Sequence, residues 1–351
     1  MLPDTTARHT GGGLRIASLC SGYGGLEMAV LGALDGQVVI GAEMDPFAAR
    51  VFAHHHPGVP NLGDITTADW RTVRALYRPD VVVAGFPCTD ISNTGPKAGI
   101  HGTRSGIWKN VAEAVRVLEP RIVFLENVAA ILSRGIDVVA ADLAQIGYDA
   151  RWTCLRAGDP AVGAPHPRDR WFCVAHPADA HPDQFGRQWR TGHLAQAPGR
   201  DESAHPGHQA PASRLRLLPT PKASDGPHGG PNQRDTQGRY YLPGQAVRLD
   251  ERWTAEDGTD YGPAIRRWEA VIGRPAPAPW ALGPRGGRQL TARFTEWMMG
   301  APDGHVTGLG LPRAQEIKIL GNGVIPRQAA CAYGQLLGAQ QATPSTIPLA
   351  A

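Results

Sequence analysis

From residue 14 to about residue 175, short apolar runs alternate with amphipathic stretches, and this rhythm restricts the fold more than any other feature of the chain. Apolar runs bounded by turn formers read as buried strands, and the periodic stretches between them read as crossover helices. Strands are expected at residues 15–19, 38–42, 80–84, 122–125 and 171–174, and helices at 25–34, 46–54, 109–118 and 136–146. Strands joined through helices lie side by side in parallel. The expected architecture is therefore α/β: a Rossmann-like, doubly wound sheet.

Beyond Pro177 the texture changes to His, Pro, Gly, Gln and Arg, with Trp189, Tyr240, Tyr241, Trp253, Tyr261, Trp268 and Trp280 scattered through it. The chain's 31 prolines and 43 glycines crowd between residues 175 and 287, as in a loop-rich region. A second, smaller domain is expected at 181–300, and residues 1–180 with 301–345 form the first. Order returns at 316–337, where a Gly321-Asn-Gly-Val turn precedes a closing helix that packs back on the first domain. Trp297-Met298-Met299 reads as core packing between the two.

Charge and cysteine usage exclude several classes. A net charge of +3, with basic side chains exceeding acidic ones by about four in 181–300, permits a nucleic-acid partner without requiring one. Cys20, Cys88, Cys154, Cys173 and Cys331 form no CxxC pair, which argues against a disulfide framework or zinc knuckle and fits a reducing cytoplasm. His54-His55-His56 reads as a helix end before Pro57, because no Cys or acid stands at ligand spacing; no metal is expected. Residues 1–13 lack the basic flank and apolar run of a signal peptide, and no apolar stretch reaches the ~18–20 residues that cross a bilayer. A soluble protein is expected.

The chemistry gathers at the ends of the expected strands. Ser21-Gly22-Tyr23-Gly24-Gly25 follows the first, a tight turn whose missing side chains let backbone N–H groups approach a ligand. Glu43 ends the second, where a carboxylate can accept hydrogen bonds from ribose hydroxyls. This pair suits a dinucleotide or S-adenosylmethionine, so a nicotinamide-dependent dehydrogenase with a reactive cysteine stays open at this point. The third strand delivers Gly85-Phe86-Pro87-Cys88 to its carboxyl end, where open α/β sheets bind ligands. Phe124-Leu125-Glu126-Asn127-Val128 brings a carboxyl and an amide to the end of a fourth. Taken singly, a buried cysteine is inert packing and such a glutamate a cap or ion pair.

Taken in order, these segments resemble the motifs of the DNA cytosine-5 methyltransferase family over nearly the whole chain. Gly63-Asp64-Ile65, Ser92 after the GFPC motif, Arg168-Asp169-Arg170, residues 288–293, Met299-Gly300-Ala-Pro-Asp303 and Gly321-Asn322-Gly323-Val324-Ile325-Pro326 complete the set. The resemblance implies methyl transfer from S-adenosylmethionine to carbon 5 of a cytosine flipped out of double-stranded DNA. It makes Cys88 the nucleophile that adds to carbon 6 and Glu126 the acid on N3 and the exocyclic amine. Arg170 binds the base carbonyl and orients Glu126, Arg168 supports them, and Asn127 and Asn322 order the pocket.

Carried over residue by residue, cofactor contacts fall on Cys20, Gly22, Gly24, Gly25, Glu43, Met44, Asp64, Ile65, Pro87, Asn322 and Val324, with Asp64 facing the adenine amine. The sequence departs from the common pattern at Ser18 (Asp), Cys20 (an aromatic), Met44 (Trp), Thr89 (Gln) and His166 (Gln). The loop from Thr89 to Gly106, with Lys97 and Arg104, is expected to close over the target. The segment between the arginine motif and Arg288 would carry target recognition, and 217–225 is similar to a stretch in members encoded by phages and actinobacteria. A monomer serving restriction-modification or phage DNA protection, with a cognate endonuclease as companion, is the implied setting. A tRNA methyltransferase of the same fold is the neighbouring alternative. A DNA-binding module that has lost catalysis does not explain Cys88, Glu126 and Arg170 together.

Overall fold

A computed structural model describes residues 13–87, 106–180, 183–189 and 215–338. Cys88, Thr89, Ser92, Lys97, Arg104 and His181 lie outside the described residues. The first half alternates as expected: β1 (Leu14–Leu19), α1 (Gly25–Ala33), β2 (Gly36–Ala42), α2 (Pro46–His55), α3 (Trp70–Tyr77), β3 (Val81–Gly85), α4 (Gly106–Leu118) and β4 (Ile122–Val128). It continues with α5 (Ile131–Arg134), α6 (Ile136–Gln145), β5 (Tyr148–Arg156), β6 (Asp169–Pro177) and α7 (Asp183–Gln188).

The sheet has the strand order β2-β1-β3-β4-β6-β5. β2, β1, β3 and β4 run parallel, but β6 is antiparallel to β4 and β5 antiparallel to β6. The parallel expectation thus holds for four of the five expected strands and fails for the fifth, β6, while β5 was not expected at all. β5 carries no readable apolar run because it is an edge strand, with Asp149, Arg151, Trp152, Cys154 and Arg156 exposed. α3 escapes sequence reading because only Trp70 and Val73 are buried; Asp69 starts it by accepting from Arg71 N and Thr72 N.

Successive residues of the central strands point to opposite faces. Ile16, Val83, Phe124 and Phe172 pack under α1, α2 and α12 (Pro326–Leu336), whereas Ala17, Val82, Leu125 and Trp171 pack with α3, α4 and α6. Burial on both faces explains why these strands read as continuous apolar runs.

The second half contains α8 (Leu242–Ala246), α9 (Gly262–Ile272), the hairpin β7–β8 (Trp280–Leu282, Arg288–Leu290), α10 (Ala292–Met298) and α11 (Arg313–Asn322) before α12. A short repeat emerges that the sequence pattern hides. Tyr241 and Tyr261 each take the N-cap position, each helix has Pro second, and each follows an isolated bridge closing a turn in which one aspartate, Asp235 or Asp257, accepts from the backbone N–H two residues on. The core under α12 runs without a break into Trp268, Phe294, Trp297, Met298 and Met299. Trp268 is fully buried, its Nε1–H donating to the Trp297 carbonyl at 2.8 Å. Trp268→Ala should therefore lower unfolding free energy by about 3–5 kcal/mol in a denaturant titration; a loss near zero would show that this half is not packed as one unit with the sheet.

Candidate active site

Parallel strands present their carboxyl ends along one edge, and in the order β2, β1, β3, β4 those ends carry Glu43, the glycine turn, Phe86-Pro87 and Glu126-Asn127. A cleft of about 410 Å³ opens there. Its wall includes Cys20, Gly22, Gly25, Glu43, Met44, Ile65, Pro87, Glu126, Arg170, Asn322 and Val324. Cys88 follows Pro87 directly in the chain.

The reversal of β6 is what brings Arg170 to this edge. Because β6 runs antiparallel, its first residues lie opposite the last of β4, with Arg170 level with Val128 and Phe172 with Glu126. In a parallel β6 the arginine would sit at the far edge, roughly 20 Å away. Arg170 Nε donates to Glu126 Oε1 at 2.9 Å, and both side chains are largely buried. Burial pushes the Glu126 carboxyl above its usual range, against the pull of Arg170 and Arg168. Asn127 donates from Nδ2 to the Phe86 carbonyl at 3.1 Å and accepts from Val128 N at 2.8 Å, which ties the end of β4 to the segment entering Cys88.

Three expected site residues do not line the cleft. Arg168 is buried behind it, and its guanidinium donates to the carbonyls of Pro221 (3.2 Å), Gly321 (3.2 and 3.3 Å) and Gly323. A guanidinium with five donors and no acceptor is well suited to brace three chain segments at once. Gly24 takes a left-handed conformation (φ 91°) as the N-cap of α1. The Asp64 carboxylate accepts from Thr66 N at 2.8 Å, while its neighbours Gly63 and Ile65 line the cleft.

The glycine turn is clamped from several sides. Glu43 accepts from Gly22 N and from Asp45 N, both at 2.8 Å. Tyr23 Oη donates to the Val324 carbonyl, and at Gly25 a Cβ would overlap that same oxygen. Lys318 of α11 bonds Asp45 Oδ2 at 2.7 Å, joining the cleft's two walls. The sequence reading missed Lys318, Asp45, His305 and Glu296. Buried Glu296 accepts from Gly304 N, Val306 N and Thr307 N, and the loop so held lets His305 Nε2–H donate to the Tyr23 carbonyl at 2.7 Å. Only the spacing of Glu296 from residues 304–307 hinted at this clamp. His55 of the histidine run donates to the His305 carbonyl at 2.8 Å and stacks on that ring.

None of the described cysteines has an activated thiol. Burial, reinforced by Glu43 and Asp64, pushes Cys20 up to about 12, and burial also raises Cys154, Cys173 and Cys331. A thiolate nucleophile in this cleft has to come from elsewhere. Cys20 also holds a positive φ of 55°, a conformation few side chains adopt, at the junction of β1 and the turn.

Residues 14–214 match the family model described as C-5 cytosine-specific DNA methylase, more than half of the chain. The chain belongs to this family. Relatives of this chain include the type II methyltransferase M.CviJI of Paramecium bursaria Chlorella virus IL3A, 39% identical over 108 residues, covering 30% of this chain and 29% of that protein. M.NlaX of Neisseria lactamica is 30% identical over 192 residues, or 52% of this chain and 60% of that protein. M.HhaI of Haemophilus parahaemolyticus is 29% identical over 177 residues, covering 49% and 52%. The chain thus spans from under a third to about three fifths of the length of the curated relatives it matches.

The fold is shared with solved structures at low identity. S. pombe Dnmt2 methyltransferase superposes with a TM-score of 0.57 at 16% identity over 93% of this chain and 98% of that one. A prophage-encoded putative DNA modification methyltransferase of E. coli gives 0.51 at 16% identity over 93% and 99%. Membership in this family removes the dehydrogenase reading.

Because the Gly25–Val324 contact leaves no room for a side chain, Gly25→Ala should push the turn away from α11 and α12. Titration calorimetry should find cofactor affinity reduced by about tenfold or more, since a backbone shift near an ångström removes well-aligned hydrogen bonds; unchanged affinity would show that the turn is not part of the binding wall.

Proposed function

We propose that this chain methylates carbon 5 of cytosine in duplex DNA, with S-adenosylmethionine as methyl donor. The observation that carries the reading is the Glu126–Arg170 ion pair sharing one cleft with the glycine turn and Glu43. The cleft suits the donor. The space in front of Gly22, where a Cβ would point, is open, and Met44 keeps a 68% exposed side chain at the rim, a polarizable and adaptable surface on which an adenine ring can pack. Glu43 has lone pairs left for ribose hydroxyls beside the two amides it already accepts.

S-adenosylmethionine supplies an electrophilic methyl group when bound. The protein's own task is to make carbon 5 nucleophilic. Cys88 adds its thiolate to carbon 6, which pushes electron density toward carbon 5. Glu126, held by Arg170, bonds the ring nitrogen N3 and the exocyclic amine and stabilises the charge building there. Burial raises its pKa, which eases uptake of the proton it shares with N3 as charge builds on the ring, and this contact rejects thymine, which carries a hydrogen at N3. Arg170 keeps donors free for the base carbonyl, and Arg168 supports the pair by fixing the GNG turn from behind. Loss of the carbon 5 proton then lets the thiol leave.

Both faces of the ring are used, so the cytosine must swing out of the stack. Residues 181–300 would form the target-recognition domain, since reading bases in the major groove needs a scaffold of its own. Relatives named type II methyltransferases support a modification role, with a restriction endonuclease as the natural companion. No described helix is long and apolar enough to cross a membrane.

Incubation with tritiated cofactor should label duplex DNA and leave tRNA unlabelled. Cys88→Ala should cut labelling by more than about a thousandfold while changing cofactor affinity less than twofold. Labelling of tRNA alone, or turnover by Cys88→Ala, would overturn the substrate or the nucleophile respectively.

A further inference from the structure

Behind the glycine turn lies a carboxyl group that the mechanism above does not use. Glu27, on the first turn of α1, is 1% exposed, and its Oε2 has no partner among the described residues. Its Oε1 bonds Ser18 Oγ, and Ser18 Oγ lies 2.7 Å from Ser21 Oγ. Ser18 is fully buried at the end of β1, and Ser21 stands in the cleft wall. Three side chains thus form a line from a buried acid to the ligand surface.

We propose that the Glu27–Ser18–Ser21 relay is a charge-sensing contact for the amino-acid end of the cofactor; this rests on the cofactor reading above. Strand order fixes which part of the ligand Ser21 meets. β2 brings Glu43 and Met44 to one end of the cleft and β4 brings Glu126 to the other, with β1 between them. Adenosine at the first end and the methyl group facing the target base at the second leave the amino-acid end, which branches from the sulfur between them, over β1.

Proton counting sets the polarity of the relay. Each serine hydroxyl has one proton to give. With Glu27 ionised, Ser18 donates to it, Ser21 donates to Ser18, and Ser21 turns lone pairs toward the cleft, the right partner for an ammonium group. With Glu27 protonated, the order can reverse and Ser21 offers a proton instead, which an ammonium rejects. The relay also explains an oddity of the sequence. Ser18 stands where the resembling motif carries an aspartate, and Glu27 brings a carboxyl oxygen to that position from the helix.

The switch falls in an accessible pH range. Burial, opposed by the bond from Ser18 and reinforced by Glu43, pushes Glu27 up to about 7. The groups facing it are Glu43 from β2, Tyr23 of the turn and Tyr333 from α12. His55, His56 and His305 share with it a cavity of about 220 Å³ on the side away from the cleft.

Titration calorimetry on the full chain with two ligands tests this. S-adenosylhomocysteine carries the amino-acid end and 5′-methylthioadenosine lacks it. Wild type should bind the first roughly tenfold more weakly at pH 6 than at pH 8, and the second equally at both. Glu27→Gln should bind S-adenosylhomocysteine at pH 8 as weakly as wild type does at pH 6, without pH dependence, and should bind methylthioadenosine within about twofold of wild type. The exchange variant Ser18→Asp/Glu27→Ser, which moves the acid to the strand, should restore most of the affinity. Equal losses for both ligands, undiminished affinity in Glu27→Gln, or no recovery in the exchange variant would each overturn the relay. If wild type bound neither ligand, the cofactor reading itself would fall, an outcome distinct from those three.

Discussion

One ion pair, Arg170 to Glu126 at 2.9 Å, organises the reactive end of this cleft. A carboxyl group buried at the end of β4 needs a partner, because an unpaired charge there would cost several kcal/mol. The partner comes from a strand that runs backwards. Had β6 continued the parallel winding, Arg170 would stand at the opposite end of the strands and Glu126 would be left without its cation. The antiparallel β5–β6 pair is therefore the feature that gives the end of a parallel sheet a buried carboxyl with its cation, which the proposed mechanism sets against a pyrimidine edge.

The opposite wall depends on contacts across great sequence distance. Gly25 touches Val324, Tyr23 bonds Val324, Arg168 bonds Gly321 and Gly323, and Lys318 pairs with Asp45. Each joins the first half of the chain to α11 or the turn after it. The cleft is thus made by closing the C-terminal helices onto the sheet, and its shape follows from glycines that permit the approach and from buried polar groups that fix it. Glu296 extends the same logic outward, because the loop it holds supplies the His305 that supports the turn.

The sequence made the parallel strands legible because burial on both faces writes them as unbroken apolar runs, as in Val81-Val82-Val83-Ala84. It made the strand-end chemistry legible because Glu43, Pro87 and Glu126 terminate those runs. It could not show β5, whose edge position leaves it mostly polar, nor the direction of β6, which depends on pairing rather than on pattern. The family motif reads Arg168 as a support beside Arg170. It stands just before β6 begins at Asp169, so strand alternation does not set its direction, and its guanidinium turns instead to the carbonyls of Pro221, Gly321 and Gly323 behind the cleft. Glu27 carries no signal in the sequence, and only its burial against Ser18 gives it meaning.

The account's central claim is that a thiol next to Pro87 and the carboxyl of Glu126 act on the two sides of one pyrimidine. Duplex DNA synthesised with 5-fluorocytosine tests this directly, because fluorine at carbon 5 cannot leave as a proton does and the thiol adduct persists. Mass spectrometry of the digested complex should find one cross-linked peptide, containing Cys88, and only when S-adenosylmethionine is present. A cross-link at Cys20, Cys154, Cys173 or Cys331, or none at all, would contradict the account.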